Sequence, residues 1–285
     1  MQESHRAFLE SLLTTPSPSG FETKGQRVWV DYVTEFADEV TTDDYGNAVA
    51  VHEGSGDGPE IAFSGHADEI GFIVRDIDDN GFIRMSRIGG ADRTVSQGQH
   101  VTIHAADGPV QGVIGQTAIH LRDTGGEEYP DIAEQFIDIG ATDGDDAEEL
   151  VEVGDPITFS SELHELHGDR LTARGMDNRI GTWSAAEGLR RAVEADVDAT
   201  VYAVSTVQEE VGIKGAQMVG FDLDPDAAIA VDVTHATDNP DVPGDKQGPV
   251  ELGGGPVVSR GSANHPRVVE LAREAAEDAE IEIQL

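Results

Sequence analysis

The secondary-structure pattern of the sequence changes twice along the chain. These two changes limit the possible folds more than any other feature. Up to residue 70, and again after Arg170, stretches with helical periodicity alternate with short apolar strands. Such alternation predicts a mainly parallel sheet with helices on both faces. Residues 71 to about 160 instead form short β segments separated by turn sequences such as Asp79-Asn80-Gly81. We therefore predict an α/β fold into which a small β-barrel is inserted.

The same two changes divide the 285 residues into three segments. Residues 1–70 are predicted to form the first part of the α/β domain, residues 71–160 the inserted barrel, and residues 161–285 the second part of the α/β domain. The second part should contain a long helix from about residue 178 to residue 194. A chain of this length buries roughly 75% of its unfolded surface, so a sizeable core is available without disulfides.

The charge of the chain is strongly unbalanced. The net charge is −38, with 56 acidic residues against 18 lysines and arginines, and the acidic residues are spread along the chain. Self-repulsion on this scale destabilises the folded state unless salt screens it, so the composition indicates a surface adapted to high salt. An acidic protein from a low-salt environment is the alternative. Nucleic acids and anionic membranes are poor partners for such a surface.

The composition also limits which reactive and metal-binding groups are available, and in which cellular compartment the protein is expected. The sequence contains no cysteine, which excludes disulfides, thiol nucleophiles and cysteine-bound zinc, so a metal ion would need His, Asp or Glu ligands. The first 13 residues are interrupted by polar side chains and predict an amphipathic helix rather than a signal peptide. No window contains the ~20 apolar residues of a membrane-spanning helix. We therefore predict a cytoplasmic protein with neither a membrane nor a nucleic-acid partner.

Potential oxygen and nitrogen ligands stand in four clusters where predicted strands end. The clusters contain these residues: His66 with Asp68, Asp177, the adjacent pair Glu209 and Glu210, and Asp232. In open α/β sheets ligands bind beyond the carboxyl ends of strands, so groups that are far apart in sequence can converge there. One imidazole with several carboxylates suits a hard or borderline divalent ion, with zinc, cobalt and manganese all possible.

Some of these residues have an ordinary structural explanation. His66 alone could be a hydrogen-bonded structural histidine, and Asp177 could cap the helix that follows it. Asp232 is harder to explain in this way, because a carboxylate inside an apolar strand is costly to bury unless it is paired or bound to metal. Glu209 and Glu210 directly follow an apolar strand, and their side chains must point in different directions. One of them can therefore bind a metal ion while the other contacts a bound water.

Four motifs carry a resemblance to a known family. They read HADEIGF, MDNR, TVQEEVG and VDVT, and they begin at these residues: His66, Met176, Thr206 and Val231. In this order and spacing the chain resembles the tetrahedral (TET) aminopeptidases, a family that includes glutamyl and deblocking aminopeptidases and members once named endoglucanases. The likeness covers nearly the whole chain, including the sequences SGFE and DYGN within the first 50 residues.

The resemblance implies a catalytic α/β domain with a dinuclear metal centre. The implied metal ligands are Asp177 as the bridge, His66 and Asp232 at one ion, and Glu210 at the other. Glu209 would be the general base, and Asp68 would fix the orientation of the neighbouring imidazole. Two divalent ions, with zinc first and cobalt or manganese as alternatives, would lower the pKa of a shared water and polarise the scissile carbonyl.

The resemblance also implies substrates and an assembly. Members of the family remove N-terminal residues from short peptides, and a PDZ-like domain, here residues 71–160, joins their subunits into dimers that build a hollow dodecamer. We therefore expect short peptides as substrates and a homo-oligomer. Two rival functions are open: a non-catalytic remnant that keeps the fold and the assembly surface, and a glycoside hydrolase. A glycoside hydrolase would need two carboxylates about 5 to 9 Å apart beside a sugar-binding cleft.

The sequence departs from the family pattern at its C-terminal end. In the family the terminal ligand of the second ion is a histidine well beyond the segment that resembles residues 263–284, whereas this sequence ends at Leu285. A truncated gene product and part of a longer protein are the two explanations. His265 could substitute as a ligand, although a histidine before a proline also suits a helix start. With two protein ligands at the second ion, we expect the chain as written to bind about one metal ion and to have negligible activity.

Overall fold

The computed structural model describes residues 2–122, 129–242 and 248–285. These residues separate into two compact units, Met1–Asp232 and Val233–Leu285. Helices α1 to α7 are Glu3–Thr14, Thr23–Val33, Arg93–Ser96, Gly144–Glu148, Met176–Glu194, Lys214–Asp222 and Pro266–Asp278. Strands β1 to β13 are Glu39–Thr42, Ala48–His52, Glu60–His66, Gly71–Ile77, Ile83–Ile88, His100–Ala105, Gly108–Ile114, Phe136–Asp138, Pro156–Phe159, His164–Leu166, Arg170–Thr172, Thr200–Thr206 and Ala227–Ala230. Among the helices of the described segments, none is long and apolar enough to cross a membrane.

The first unit contains a five-stranded sheet in the order β1-β2-β12-β3-β13. Strands β12 and β13 both pair parallel with β3, so these three strands have their carboxyl ends at the same edge. Strands β1 and β2 pair antiparallel, because the turn between Thr42 and Ala48 is too short for a crossover helix, and β2 also pairs antiparallel with β12. The α/β prediction is confirmed, in a mixed sheet whose parallel strands are β12, β3 and β13.

Helices α2 and α5 pack against this sheet, and α1 packs against both of these helices, around a buried apolar cluster. Trp29 of α2 is completely buried, and its Nε1 donates a hydrogen bond of 3.0 Å to the carbonyl oxygen of Thr182 in α5. Helix α5 also approaches β3 closely, since a Cβ atom added at Gly65 would collide with the backbone of Gly181. This close approach brings the start of α5 beside the end of β3.

Residues 71–159 carry the six strands of a closed barrel, in the order β4-β5-β8-β7-β6-β9. Its interior is filled by apolar side chains that are completely buried, such as Phe72, Ile83, Met85, Ile103 and Ile157. Strand β4 pairs with both β5 and β9, so the first and last strands of the barrel are neighbours. The predicted insertion of a small β-barrel into the α/β domain is thereby confirmed.

The second unit contains α7 and the segments before and after it. The backbone amide of Val258 donates to the carbonyl oxygen of Gln284 over 2.8 Å. His265 is the N-cap of α7, where its Nδ1 accepts a hydrogen bond of 3.3 Å from the backbone amide of Arg267. The structure therefore gives His265 the role of a helix start, one of the two roles considered for it in the sequence.

Candidate metal centre

The candidate residues come together at the carboxyl edge of β3, β12 and β13. Strand β3 ends at His66, which lies opposite Thr206 at the end of β12. Glu209 and Glu210 follow β12, and Asp232 follows β13. Parallel neighbours end at the same edge of a sheet, so residues separated by more than a hundred positions meet there.

Three of the candidates form a group that could hold a cation. His66, Asp177 and Asp232 each offer one ligand atom, and these atoms lie within 4.8 Å of one another. Within the group, Nε2 of His66 is 3.2 Å from Oδ1 of Asp177. One imidazole nitrogen and two carboxylates are a donor set that suits zinc, cobalt or manganese. The residues present therefore fit a divalent ion of the kind that the resemblance implies.

Asp68 lies behind this group and orients His66. The side chain of Asp68 is completely buried, and its Oδ1 is 3.4 Å from Nδ1 of His66. The backbone oxygen of Asp68 lies 3.2 Å from the same nitrogen. A proton on Nδ1 thus has two acceptors, and Nε2 is left to face Asp177.

The carboxylate of Asp68 also joins three chain segments. The backbone amides of Glu209 and Glu210 donate to it over 3.0 and 3.1 Å, and the hydroxyl of Ser19 donates over 2.6 Å. Gln208 has a φ of +55°, and this left-handed turn directs both following amides towards one carboxylate. Although burial raises the pKa of Asp68, its hydrogen bonds outweigh burial and hold the pKa below its usual value. Asp68 therefore stays ionised and fixes the backbone of both glutamates.

The two glutamates stand beside the three-residue group. Oε2 of Glu209 lies 3.8 Å from Nε2 of His66, and the side chain of Glu209 is partly open to solvent. Glu210 is half-buried, and its pKa is raised first by burial and then by the negative charge of Asp177. In the part of the chain that the structure describes, the group of atoms within 4.8 Å includes neither glutamate.

The electrostatics of the site favour positive charge between the carboxylates. Burial alone would lower the pKa of His66, but hydrogen bonds to Asp177 and Asp68 outweigh it and raise the pKa to about 10. Burial is the main cause that raises the pKa of Glu210 to about 7. Burial also raises the pKa of Glu209, partly offset by the charge of His66. A cation at this position would relieve the repulsion among the carboxylates.

Asp177 is carried by the irregular start of α5. Asp177 and Asn178 have non-helical backbone angles and are joined by a cis peptide bond. The side-chain amide of Asn178 donates to the carbonyl oxygen of Val231 over 2.8 Å, and its oxygen accepts from the amide of Gly181 over 2.9 Å. Because Val231 directly precedes Asp232, Asn178 links the two segments that carry the carboxylates of the group.

An ion-pair network behind the site was missed by the sequence predictions. Oε1 of Glu69 accepts hydrogen bonds from Arg174 over 2.5 Å, from Nη2 of Arg179 over 2.9 Å and from the backbone amide of Ser17 over 2.9 Å. Burial raises the pKa of Glu69, but the two arginines outweigh it and lower the pKa. Because the arginines flank Asp177 in sequence, this network fixes the segment that carries it. The sequence does contain one indication of this network, because Glu69 and Arg179 lie inside two of the four motifs.

The chain is similar to known aminopeptidases. Residues 46–285 match the family described as M42 glutamyl aminopeptidase. The chain is 34% identical to the lysyl aminopeptidase of Pyrococcus furiosus, over 97% of this chain and 79% of that protein.

Solved structures are similar to this chain in both fold and sequence. The TET aminopeptidase from the marine sediment archaeon Thaumarchaeota archaeon SCGC AB-539-E09 has a TM-score of 0.92 and 32% identity, covering 100% of this chain and 81% of that one. The Pyrococcus horikoshii TET1 peptidase, which can assemble into a tetrahedron or a large octahedral shell, has a TM-score of 0.87 and 31% identity, covering 98% and 83%. This chain belongs to the M42 glutamyl aminopeptidase family.

Proposed function

We propose that this protein is a metal-dependent aminopeptidase that removes N-terminal residues from short peptides. The observation that carries the proposal is the convergence of ligand atoms from His66, Asp177 and Asp232 within 4.8 Å, in a chain of the M42 family. A relative named as a lysyl aminopeptidase supports the same reaction class.

We infer two ion sites that share Asp177. His66 and Asp232 would complete the first site, and Glu210 would belong to the second, while Asp68 holds the imidazole of His66 in place. Zinc is our first choice, with cobalt and manganese as alternatives. When bound, the two ions would supply the Lewis acidity that activates a water and polarises the scissile carbonyl.

Glu209 has the properties required of a general base. Its backbone is fixed by the hydrogen bond to Asp68, while its carboxylate remains partly exposed beside His66. Burial raises its pKa from the usual glutamate value, which brings it nearer to neutral operating conditions. Glu209 would accept a proton from the attacking water and later return that proton to the leaving amine, so that it is unchanged after each turnover.

Metal content and peptide hydrolysis can be measured together to test this proposal. The assay uses leucyl- and glutamyl-nitroanilide, on this chain and on the same chain extended with the C-terminal segment of the Pyrococcus furiosus relative. We expect the extended form to release nitroaniline in a reaction that requires zinc or cobalt and is lost in Asp177→Ala. Metal binding without cleavage in either form would favour the non-catalytic remnant. Cleavage of a glucan but no aminoacyl substrate would favour the glycoside hydrolase.

We further infer that residues 71–160 form the assembly domain of a homo-oligomer. Large apolar side chains between β7 and β8 are exposed, among them Ile119 and Leu121. Exposed apolar groups that lie close together mark interaction surfaces. The closed assemblies of the Pyrococcus horikoshii relative, a tetrahedron or a large octahedral shell, support a homo-oligomer, for which we propose a dodecamer built from dimers. Light scattering of the protein and of the double variant Ile119→Ser, Leu121→Ser tests this inference, and we expect smaller particles from the variant.

The acidic surface supports a protein adapted to the cytoplasm of a salt-rich cell. Because a net charge of −38 repels itself more strongly as screening weakens, we predict that the melting temperature and the particle mass fall below about 0.5 M salt. Circular dichroism and light scattering across a salt series measure both quantities. Unchanged values from about 0.1 M to about 3 M salt would contradict the prediction.

A further inference from the structure

The turn after β5 brings the barrel against the candidate metal centre. This turn contains Gly89 and Gly90, and Gly89 has a φ of +64°. A Cβ atom added at Gly89 would lie 3.0 Å from Cβ of Glu210 and 3.1 Å from its Oε2. The same atom would lie 3.0 Å from Cγ2 of Ile70. Gly89 therefore lies against both the stem and the carboxylate of Glu210.

Both partners in this contact are anchored. Ile88, directly before Gly89, is buried and pairs with Gly71 at the start of β4. Gly71 itself lies tightly against β9, since a Cβ there would be 2.6 Å from the carbonyl oxygen of Ile157. On the other side, the amide of Glu210 is held by the buried carboxylate of Asp68. A methyl group at Gly89 would therefore press on the side chain of Glu210 as well as on that of Ile70.

The size of the resulting shift of Glu210 matters for a metal ligand. Non-bonded carbon atoms normally approach to about 3.5–4.0 Å, so a methyl group at Gly89 would displace the Glu210 side chain by several tenths of an ångström. Metal–carboxylate distances are held to within about 0.2 Å in a working site. The displacement of the Glu210 side chain would therefore be larger than the variation in distance that a metal–carboxylate bond allows.

We propose that the absence of a side chain at Gly89 positions the carboxylate of Glu210 for its metal ion. The inference rests on the proposed role of Glu210 as a ligand of the second ion. Gly89 is a positioning residue, which acts through Glu210. The barrel is then a structural part of the metal centre, in addition to its proposed role in assembly.

Cobalt titration of four variants, each made in the extended chain as the parent, tests this inference, because the absorption of bound cobalt follows each ion without any need for activity. Gly89→Ala introduces the contact together with backbone strain. Gly98→Ala introduces backbone strain alone, since Gly98 has a φ of +79° and, apart from Gly98 and its two chain neighbours, no described residue has an atom within 4 Å of the added Cβ. Gly90→Ala introduces neither the contact nor the strain, since Gly90 does not have a left-handed φ and its added Cβ would contact no other described segment. Glu210→Ala removes the ligand itself.

We expect Gly89→Ala to bind the second cobalt ion at least about 10-fold more weakly, which is the size of effect found when residues that orient a ligand are changed. The first ion should bind as in the parent, and the melting temperature should match that of Gly98→Ala. Gly90→Ala and Gly98→Ala should bind both ions as the parent does. In the extended chain, excess cobalt should restore most of the turnover lost in Gly89→Ala.

The outcomes separate this inference from the proposed function. If Glu210→Ala loses the second ion and Gly89→Ala keeps parental affinity, the positioning role of Gly89 is wrong and the ligand role of Glu210 stands. If Gly98→Ala weakens the second ion as much as Gly89→Ala does, the effect is general strain and the inference is again wrong. If the parent binds no second ion, or Glu210→Ala retains it, the ligand role of Glu210 is overturned and this inference with it.

Discussion

The two sides of the candidate metal centre differ sharply in their exposure to solvent. On one side the side chains of His66 and Asp68 are 4% and 0% exposed, and both oxygens of Asp68 accept hydrogen bonds. On the other side the side chains of Asp177 and Glu209 are 59% and 34% exposed. The buried side can orient ligands, while the open side is free to contact a substrate. Substitutions on the buried side should therefore reduce stability, and those on the open side should reduce activity.

The largest effect on stability is expected for Asp68→Ala. The change removes one of the two acceptors of Nδ1 of His66, and it leaves the buried hydroxyl of Ser19 and two partly buried backbone amides without their acceptor. Removing one member of a buried pair typically costs 3–5 kcal/mol, so the free energy of unfolding should fall by about 3 kcal/mol or more. Denaturant titration of the metal-free protein measures this loss.

The matched control for that experiment is Asp177→Ala, on the open side of the same imidazole. Its side chain is mostly exposed, so the metal-free protein should lose less than about 1 kcal/mol of unfolding free energy. If Asp68→Ala and Asp177→Ala lost equal unfolding free energy, the buried and open sides would not differ in their contribution to stability.

On the open side, Glu209→Gln keeps the shape of the side chain and removes the proton acceptor. We expect kcat in the extended chain to fall about 10²-fold or more, which is the usual contribution of a general base, with metal content and unfolding free energy unchanged. Steady-state kinetics with metal analysis measures both quantities. Normal turnover at full metal content would rule out Glu209 as the base.

A smaller effect is expected for Ser19→Ala, which removes the hydroxyl that donates to Asp68 over 2.6 Å. A hydrogen bond to a charged group contributes about 1.5–3 kcal/mol, and we expect a loss near the lower value. Ser17→Ala is the control, because the buried hydroxyl of Ser17 has no hydrogen-bond partner in the described segments of the chain. That variant should be neutral or slightly more stable. If Ser17→Ala lost more unfolding free energy than Ser19→Ala, the loss would depend on burial of the side chain and not on its hydrogen bond.

The convergence of His66 and Asp232 could be predicted from the sequence because each lies at or just beyond the end of an apolar strand. Parallel strands end at one edge of a sheet, so the position of each residue in its strand was sufficient. The barrel could be predicted for a similar reason, since short β segments and turn sequences are local features. The antiparallel pairing of β2 with β12 could not, because it depends on which strands become neighbours over long distances in sequence.

The interactions around the site were also beyond prediction from the sequence. Glu69 and Arg179 lie inside two of the four motifs, but only the folded chain shows that they pair with each other and are buried. The contact of Gly89 with Glu210 joins a barrel turn to a segment more than a hundred residues away, and a glycine carries no side-chain pattern that could indicate it. Such contacts depend on the final packing of distant segments.

The position of the barrel has a consequence for the order of folding. His66 in β3 pairs with Thr206 in β12, so a loop of about 140 residues must close before these strands meet. The first and last barrel strands are neighbours, through the pair Phe72 and Ile157, so a folded barrel shortens the effective loop to about 55 residues. Loop-closure entropy grows with the logarithm of length, and this shortening lowers its cost by about 1 kcal/mol. A barrel that folds early therefore brings the two halves of the catalytic sheet together before any contact of the metal centre has formed.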